Sequence, residues 1–271
     1  MKKETDMKTG IHLTIKIRSA DGTLRHQAQG DGHCELVWYG SYEPGDHILV
    51  SSEAKNFARI QVDTLIQPAF VYLEDGNFDF EVPFGNAKEP YPQEAFTGPI
   101  HQLTVEAMDG PAGRYILSEN PLDIRGESHV FPHCTASIET RGESVFAARN
   151  TIDGLLIAPG HGFWPYTSWG EGEDAGAHID IFFGRKVLAD EVQIFLRADF
   201  PHDNYWQEAL LTFSDGSTLP VTLQKTGLCQ SIVLPKPLET EWVRLSNLKK
   251  DSSDPSPFPA LTQWRVIGRE C

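Results

Sequence analysis

Val192-Gln-Ile-Phe-Leu196 runs straight into Arg197-Ala-Asp199-Phe-Pro-His202-Asp203-Asn204-Tyr205-Trp206. Ala209-Leu-Leu-Thr-Phe213 follows, before the turn Ser214-Asp215-Gly216-Ser217. The two apolar runs have the length and the turn boundaries of buried strands. The connection between them carries an arginine, two aspartates, a histidine and three aromatic rings. A simple connector needs none of these, and binding groups concentrate on loops held by a rigid scaffold. We therefore read Arg197–Trp206 as a working surface mounted on a sheet.

The same strand-and-turn grammar extends in both directions. In Ile11–Arg18, Ile11, Leu13, Ile15 and Ile17 alternate with His12, Thr14, Lys16 and Arg18, the period of a half-buried strand. Asp21-Gly22 is a turn signal. Strand-like runs follow at 34–39, 47–51, 58–62, 68–73, 78–82, 102–108 and 114–117, separated by Gly, Pro, Asp and Asn clusters. Residues 86–98 are Pro-rich and read as a long loop with one short turn. In the second half, 146–152 has room for one helical turn ending at Asp153-Gly154. The strands there are 178–183, 187–196, 209–213, 219–223, 230–234, 242–248 and 261–267. Short strands at this spacing imply an all-β chain of two β-sandwich domains. Ser118–Gly126 has linker composition and places the boundary between residues 1–122 and 123–271. The charged first ten residues are expected to fray.

Composition narrows the partners. The 271 residues carry 23 basic and 38 acidic side chains, a formal net charge of -15. That balance repels phosphate backbones and anionic membranes, so no nucleic acid and no membrane is expected as a partner. Neutral ligands such as glycans remain. Met1-Lys2-Lys3 is followed by Glu4-Thr5-Asp6 rather than an apolar stretch, which gives a cytoplasmic expectation, with a trimmed secreted form as the alternative. Cys34, Cys134, Cys229 and Cys271 are far apart and show no metal-ligand spacing, so four free thiols are expected.

Several segments of the second half carry a resemblance in a fixed order. They are Asn150-Thr-Ile-Asp153-Gly154, Thr167-Ser168-Trp169, Ile179-Asp180-Ile181-Phe182-Phe183-Gly184, Val187–Ile194, Trp242-Val243-Arg244-Leu245 and Gln263–Gly268. Over about Phe131 to Gly268 the chain resembles the discoidin domain of coagulation factors and the related family 32 carbohydrate-binding modules, of the galactose-binding-like superfamily. The first half resembles no family. The resemblance implies a C-terminal discoidin-like jelly roll that binds ligands with loops at one end. It also implies a structural Ca²⁺ at Asp153, although the family's closing Glu is Gln263 here and the loop after Gly154 departs from the pattern. No other cofactor is expected. Factor-type domains often join their ends by a disulfide, which would pair Cys134 with Cys271.

A sugar site needs a ring face for stacking and planar polar groups for hydroxyls. The candidates are Trp164 or Trp206 as the stacking ring, and Arg197, His202 and Asp203 as hydroxyl binders, with His161 and Arg149 beside them. Asp254–Pro259, with Phe258, is a third candidate segment. Each has a structural alternative: Arg197 pairing with an acid to fix the loop, Trp164 packing its own loop, His202 as an ordinary hydrogen-bonded histidine. Trp169 and Trp264 read as core, and Trp38, Tyr39, Tyr42, Phe84 and Tyr91 as core and inter-domain packing rather than a second sugar platform. No Gly-x-Ser-x-Gly, His-Glu-x-x-His or phosphate loop occurs. Non-catalytic carbohydrate binding is the expected function. The alternatives are a structural or protein-interaction module using the same loop at a domain or subunit interface, with homo-oligomers left open, and a glycan hydrolase built on two carboxylates.

Overall fold

A computed structural model describes residues 10–174 and 176–271, so most of the charged start lies outside the described residues. The chain is all-β. In order, the strands are β1 (His12–Arg18), β2 (Leu24–Asp31), β3 (His33–Tyr39), β4 (His47–Ser52), β5 (Asn56–Gln61), β6 (Ala69–Leu73), β7 (Asn77–Glu81), β8 (Ile100–Met108), β9 (Tyr115–Ile116) and β10 (Val130–Phe131). They continue with β11 (His133–Ala136), β12 (Trp169–Gly170), β13 (Ile179–Leu196), β14 (Trp206–Phe213), β15 (Thr218–Thr222), β16 (Gln230–Lys250) and β17 (Ala260–Glu270). The only helical pieces among the described residues are short 3₁₀ turns, including Gly85–Lys88, Ser144–Phe146 and Ala148–Ile152.

The N-terminal half is a sandwich of a four-stranded sheet (β2-β1-β4-β7) on a five-stranded one (β10-β6-β5-β8-β3). Its core is the sum of the alternations in the sequence: Leu13, Ile15 and Ile17 of β1 face Leu36, Ile60, Val71 and their neighbours. β2 was not expected as a strand. It is an edge strand paired only with β1, mostly exposed, and its polar sequence LRHQAQGD carries no apolar alternation to mark it.

The C-terminal half is a second sandwich built from long bent strands. β13 pairs with β11, β16 and β17, and its ladder with β16 shifts register between Phe182 and Val187 and again between Ala189 and Glu191. These breaks let one strand serve both layers. The break between the expected strands 178–183 and 187–196 therefore lies inside β13, at Gly184-Arg185-Lys186. Gly184 sits at φ +67, and a Cβ there would stand 2.2 Å from the Phe131 ring, so only glycine fits the bend. The core includes Trp169, Trp206 and Trp264, all fully buried.

The segment between the halves is interleaved. β9 joins the C-terminal sheet through β17, whereas the later β10 joins the N-terminal sheet through β6. Leu117 lies in the C-terminal core, Leu122 and Val130 in the N-terminal one, and Cys134 in the C-terminal one again. Cys34 and Cys134 are buried free thiols, Cys229 and Cys271 exposed ones, so the implied Cys134–Cys271 bridge is not formed. Among the described residues no helix is long and apolar enough to cross a membrane.

Candidate functional site

The loop from Arg197 to Tyr205 leaves β13 and returns at β14. Its conformation is fixed by one buried carboxylate. Asp203 Oδ1 accepts from Arg197 Nε at 2.8 Å and Nη2 at 2.5 Å, and Oδ2 accepts from the Asp199 backbone N–H at 2.7 Å. Arg197 also donates to Ser168 Oγ at 3.3 Å and from its backbone to Ala260 O at 2.9 Å. A charge-assisted pair this deeply buried is a scaffold device: removing either partner would strand the other in the protein interior. Asn204 extends the anchorage, donating to the carbonyls of Asp251 and Ser256 at 2.9 and 2.7 Å. The Asp254–Pro259 segment is thereby held against this loop, and Ser256 Oγ donates to His202 O.

What projects from this frame is a row of rings. His202 stacks on His161 with centroids 4.2 Å apart and planes at 17°, and on Phe258 at 5.4 Å and 20°. His161 Nδ1 lies 2.5 Å from Asp199 Oδ2, and His202 Nδ1 lies 3.1 Å from Asp203 Oδ1. These rings border a cleft of about 380 Å³, whose walls also include Phe146, Thr140, Glu171 and the edge of Arg197. Phe258 is 46% exposed. Glu171 is buried at the cleft wall and accepts from Trp206 Nε1 at 2.8 Å; burial pushes its carboxyl up to about 7, against the pull of that hydrogen bond.

The expected site residues separate into groups. His161, His202 and Arg197 share the cleft, with Arg197 and Asp203 as its frame rather than its exposed surface. Trp206 is a correction: it is fully buried beside Trp169, its indole N–H committed to Glu171, and no ligand ring can reach it. Trp164 is 41% exposed but lies outside the cleft, in a separate pocket with Phe163, Glu89 and Tyr91. Its backbone N–H donates to Glu89 O at 2.9 Å, which ties its loop to the N-terminal half. Arg149 is also a correction. It is buried under the ring of Tyr91 (4.9 Å) and donates to Pro121 O at 2.6 Å, facing a groove between the halves. Tyr39, expected in core or inter-domain packing, is exposed.

The side chains around Asp153 depart from the set that the resemblance implies for Ca²⁺. Asp153 Oδ1 is engaged by the Leu155 N–H at 2.8 Å, as in an Asx turn. Burial pushes its carboxyl up to about 7, and the nearby cation is Arg149. Gln263 is neutral and buried, with its amide unpartnered. A hard cation needs several charged or carbonyl oxygens, and beside Asp153 the family's closing carboxylate is replaced by the neutral Gln263.

Phe146, Glu171 and Thr140 were missed as wall residues. Their only sequence signal is nearness to Thr167-Ser168-Trp169 (Glu171) and to the Phe146–Ile152 turn, which Phe146 opens and Thr140 precedes, segments that meet the loop in space but not in the chain.

No family model matches the chain, and no curated protein matches it. Solved structures similar to it include the family 32 carbohydrate-binding module of NanJ from C. perfringens in complex with galactose, at 14% identity over 57% of this chain and 98% of that one, with a TM-score of 0.41. Chitosan-binding module 1 of a chitosanase/glucanase from Paenibacillus sp. IK-5 is similar at 18% identity over 56% and 98%, with a TM-score of 0.38. A structure of the Streptococcus pneumoniae beta-galactosidase BgaA is similar at 15% identity over 56% and 97%, with a TM-score of 0.42.

Proposed function

We propose that the C-terminal sandwich binds a glycan, without catalysis, in the cleft beside His161, His202 and Phe258. The observation that carries this is the ring row itself: an exposed phenyl and two imidazoles in one ladder, open on a cleft also lined by Thr140, Arg141 and Glu173. An apolar face beside a few fixed polar groups is what a pyranose requires. The frame is rigid before any ligand arrives, because Asp203 and Asn204 hold both loops, so little ordering cost opposes binding. The net charge of -15 disfavours acidic glycans. The sequence resemblance of this half to family 32 modules points the same way. A glycan array with wild type and Phe258→Ala tests it. Neutral sugars are expected to bind wild type, and the variant to lose at least a factor of about ten, the equivalent of about 1.4 kcal/mol. Equal binding by the two removes the cleft as the site.

One observation favours a second reading. Glu171, held near neutrality, and Glu173 both line the cleft, as a glycan hydrolase would need. Release of reducing ends from an array-positive glycan, lost in Glu171→Gln, would establish it.

A further inference from the structure

Glycan stacking does not require two histidines, and it does not require each to carry a carboxylate on the same ring nitrogen. Here both do: His161 Nδ1 sits on Asp199 and His202 Nδ1 on Asp203. A carboxylate at Nδ1 sets the tautomer that leaves the Nε2 lone pair free and makes that nitrogen more basic, the arrangement found behind metal-bound imidazoles. The second carboxylate is itself held, since Asp203 is buried against Arg197 and the Asp199 N–H.

The first-row geometry is nearly in place. One ligand atom from each of His161, Asp199 and His202 lies within 4.8 Å of the other two, and no other such trio occurs among the described residues. Nitrogen and oxygen ligands at about 2.0–2.2 Å from one tetrahedral ion stand about 3.3–3.6 Å apart, so closure from 4.8 Å needs a movement of at most about 1.5 Å. The stacked planes do require one imidazole to turn about its χ2, and all three side chains are exposed enough to do so. Asp199 has two oxygens, one for the His161 N–H and one for an ion.

We propose that His161, Asp199 and His202 bind a divalent ion of the zinc class at the mouth of the cleft, with a fourth position open towards it. Two imidazoles and one carboxylate suit Zn²⁺ and its neighbours, whereas Ca²⁺ selects oxygen. Asp203 is a positioning residue for His202.

The test is calorimetric titration of the chelator-treated full chain with ZnCl₂, without sugar, in a Cys229→Ser/Cys271→Ser background that removes the exposed thiols. Co²⁺, with visible absorption as the readout, and Ca²⁺, by calorimetry, are titrated in parallel. One ion per chain is expected, with d–d bands of a four- or five-coordinate site. His161→Ala and His202→Ala should each weaken binding at least about tenfold. His47→Ala, which disrupts a two-residue His47–Asp79 pair elsewhere, should leave it unchanged. No binding by the parent, binding unaffected by His161→Ala and His202→Ala, or equal affinity for Ca²⁺ overturns the proposal. Far-UV circular dichroism confirms that the variants are folded, and His161→Gln or His202→Gln replaces the alanine variant at that position if it is not. Because no sugar is present, failure here leaves the glycan proposal standing, and the reverse holds.

Discussion

Each half of the molecule gathers histidine and aromatic rings into a cluster, and the two clusters have similar internal spacing. In the N-terminal half, Trp38 lies 4.9 Å from Tyr42 and 5.4 Å from His101, and Tyr42 lies 4.3 Å from His101. At the C-terminal cleft, His202 lies 4.2 Å from His161 and 5.4 Å from Phe258. The difference is what surrounds them. Trp38, Tyr42 and His101 are sealed inside the first sandwich, and burial pushes the Tyr42 hydroxyl well above the usual phenol range. The cleft rings are open, and their order comes from the buried Arg197–Asp203 pair beneath them. Close ring contacts thus occur in both places, mostly tilted in the sealed cluster and stacked at the cleft, and the frame decides whether they are buried or left open.

The largest expected contrast is in stability. Trp38→Ala should cost about 3–5 kcal/mol in urea unfolding, as for a large side chain removed from a packed core. Phe258→Ala should cost less than about 0.5 kcal/mol, because an exposed ring leaves no cavity. A comparable loss at both positions would erase the distinction between the clusters. Asp203→Asn comes next. It leaves the Arg197 guanidinium buried without its charge partner, at a cost of about 3 kcal/mol by the same measurement. The cleft rings should lose their order with it.

Glu171 gives a third and smaller effect, with a defined sign. Its ordinary value of 4.5 is raised to about 7 in the folded chain, so folding favours the neutral form. Stability from this group is full below about 4.5 and is lost as pH rises through 7, by about 3 kcal/mol at most. The urea midpoint should therefore fall between pH 5 and pH 8. Glu171→Gln, which can still accept from Trp206, should flatten part of that slope, with Asp153 supplying a further part in the same direction. A midpoint that rises over this range contradicts the assigned environment. The smallest expected effect is at Trp164. Trp164→Ala should leave glycan affinity within about twofold of wild type, because that ring faces the N-terminal half.

Much of the fold was legible because alternation reports burial directly. The pattern of Leu13, Ile15 and Ile17 becomes one face of β1. Legibility failed where geometry breaks the period. β2 pairs only at an edge and buries little, so polar residues suffice. Trp206 shows the same limit at the site. Counting back by twos from the buried Phe213, Leu211 and Ala209 puts Trp206 on the opposite face. The ladder with β16 shifts register between Trp206 and Glu208 and between Glu208 and Leu210, and that irregularity turns the indole inward. The loop stands out by its crowding, but the roles within it do not. Arg197 and Asp203 look like ligands in sequence and are frame in space, because only the fold reveals which charges meet. Phe258 is more than fifty residues from His202 and comes to it through the Asn204 carbonyl contacts, which no local pattern encodes.

The central claim is that the cleft by His161, His202 and Phe258 is where ligand binds. Amide chemical-shift mapping during titration with an array-selected neutral glycan tests it most directly. The account predicts that shifts concentrate in residues 138–146, 170–173, 197–203 and 257–260 and spare 85–94 and 163–164. Shifts centred on 85–94 and 163–164, with the cleft unchanged, would contradict it.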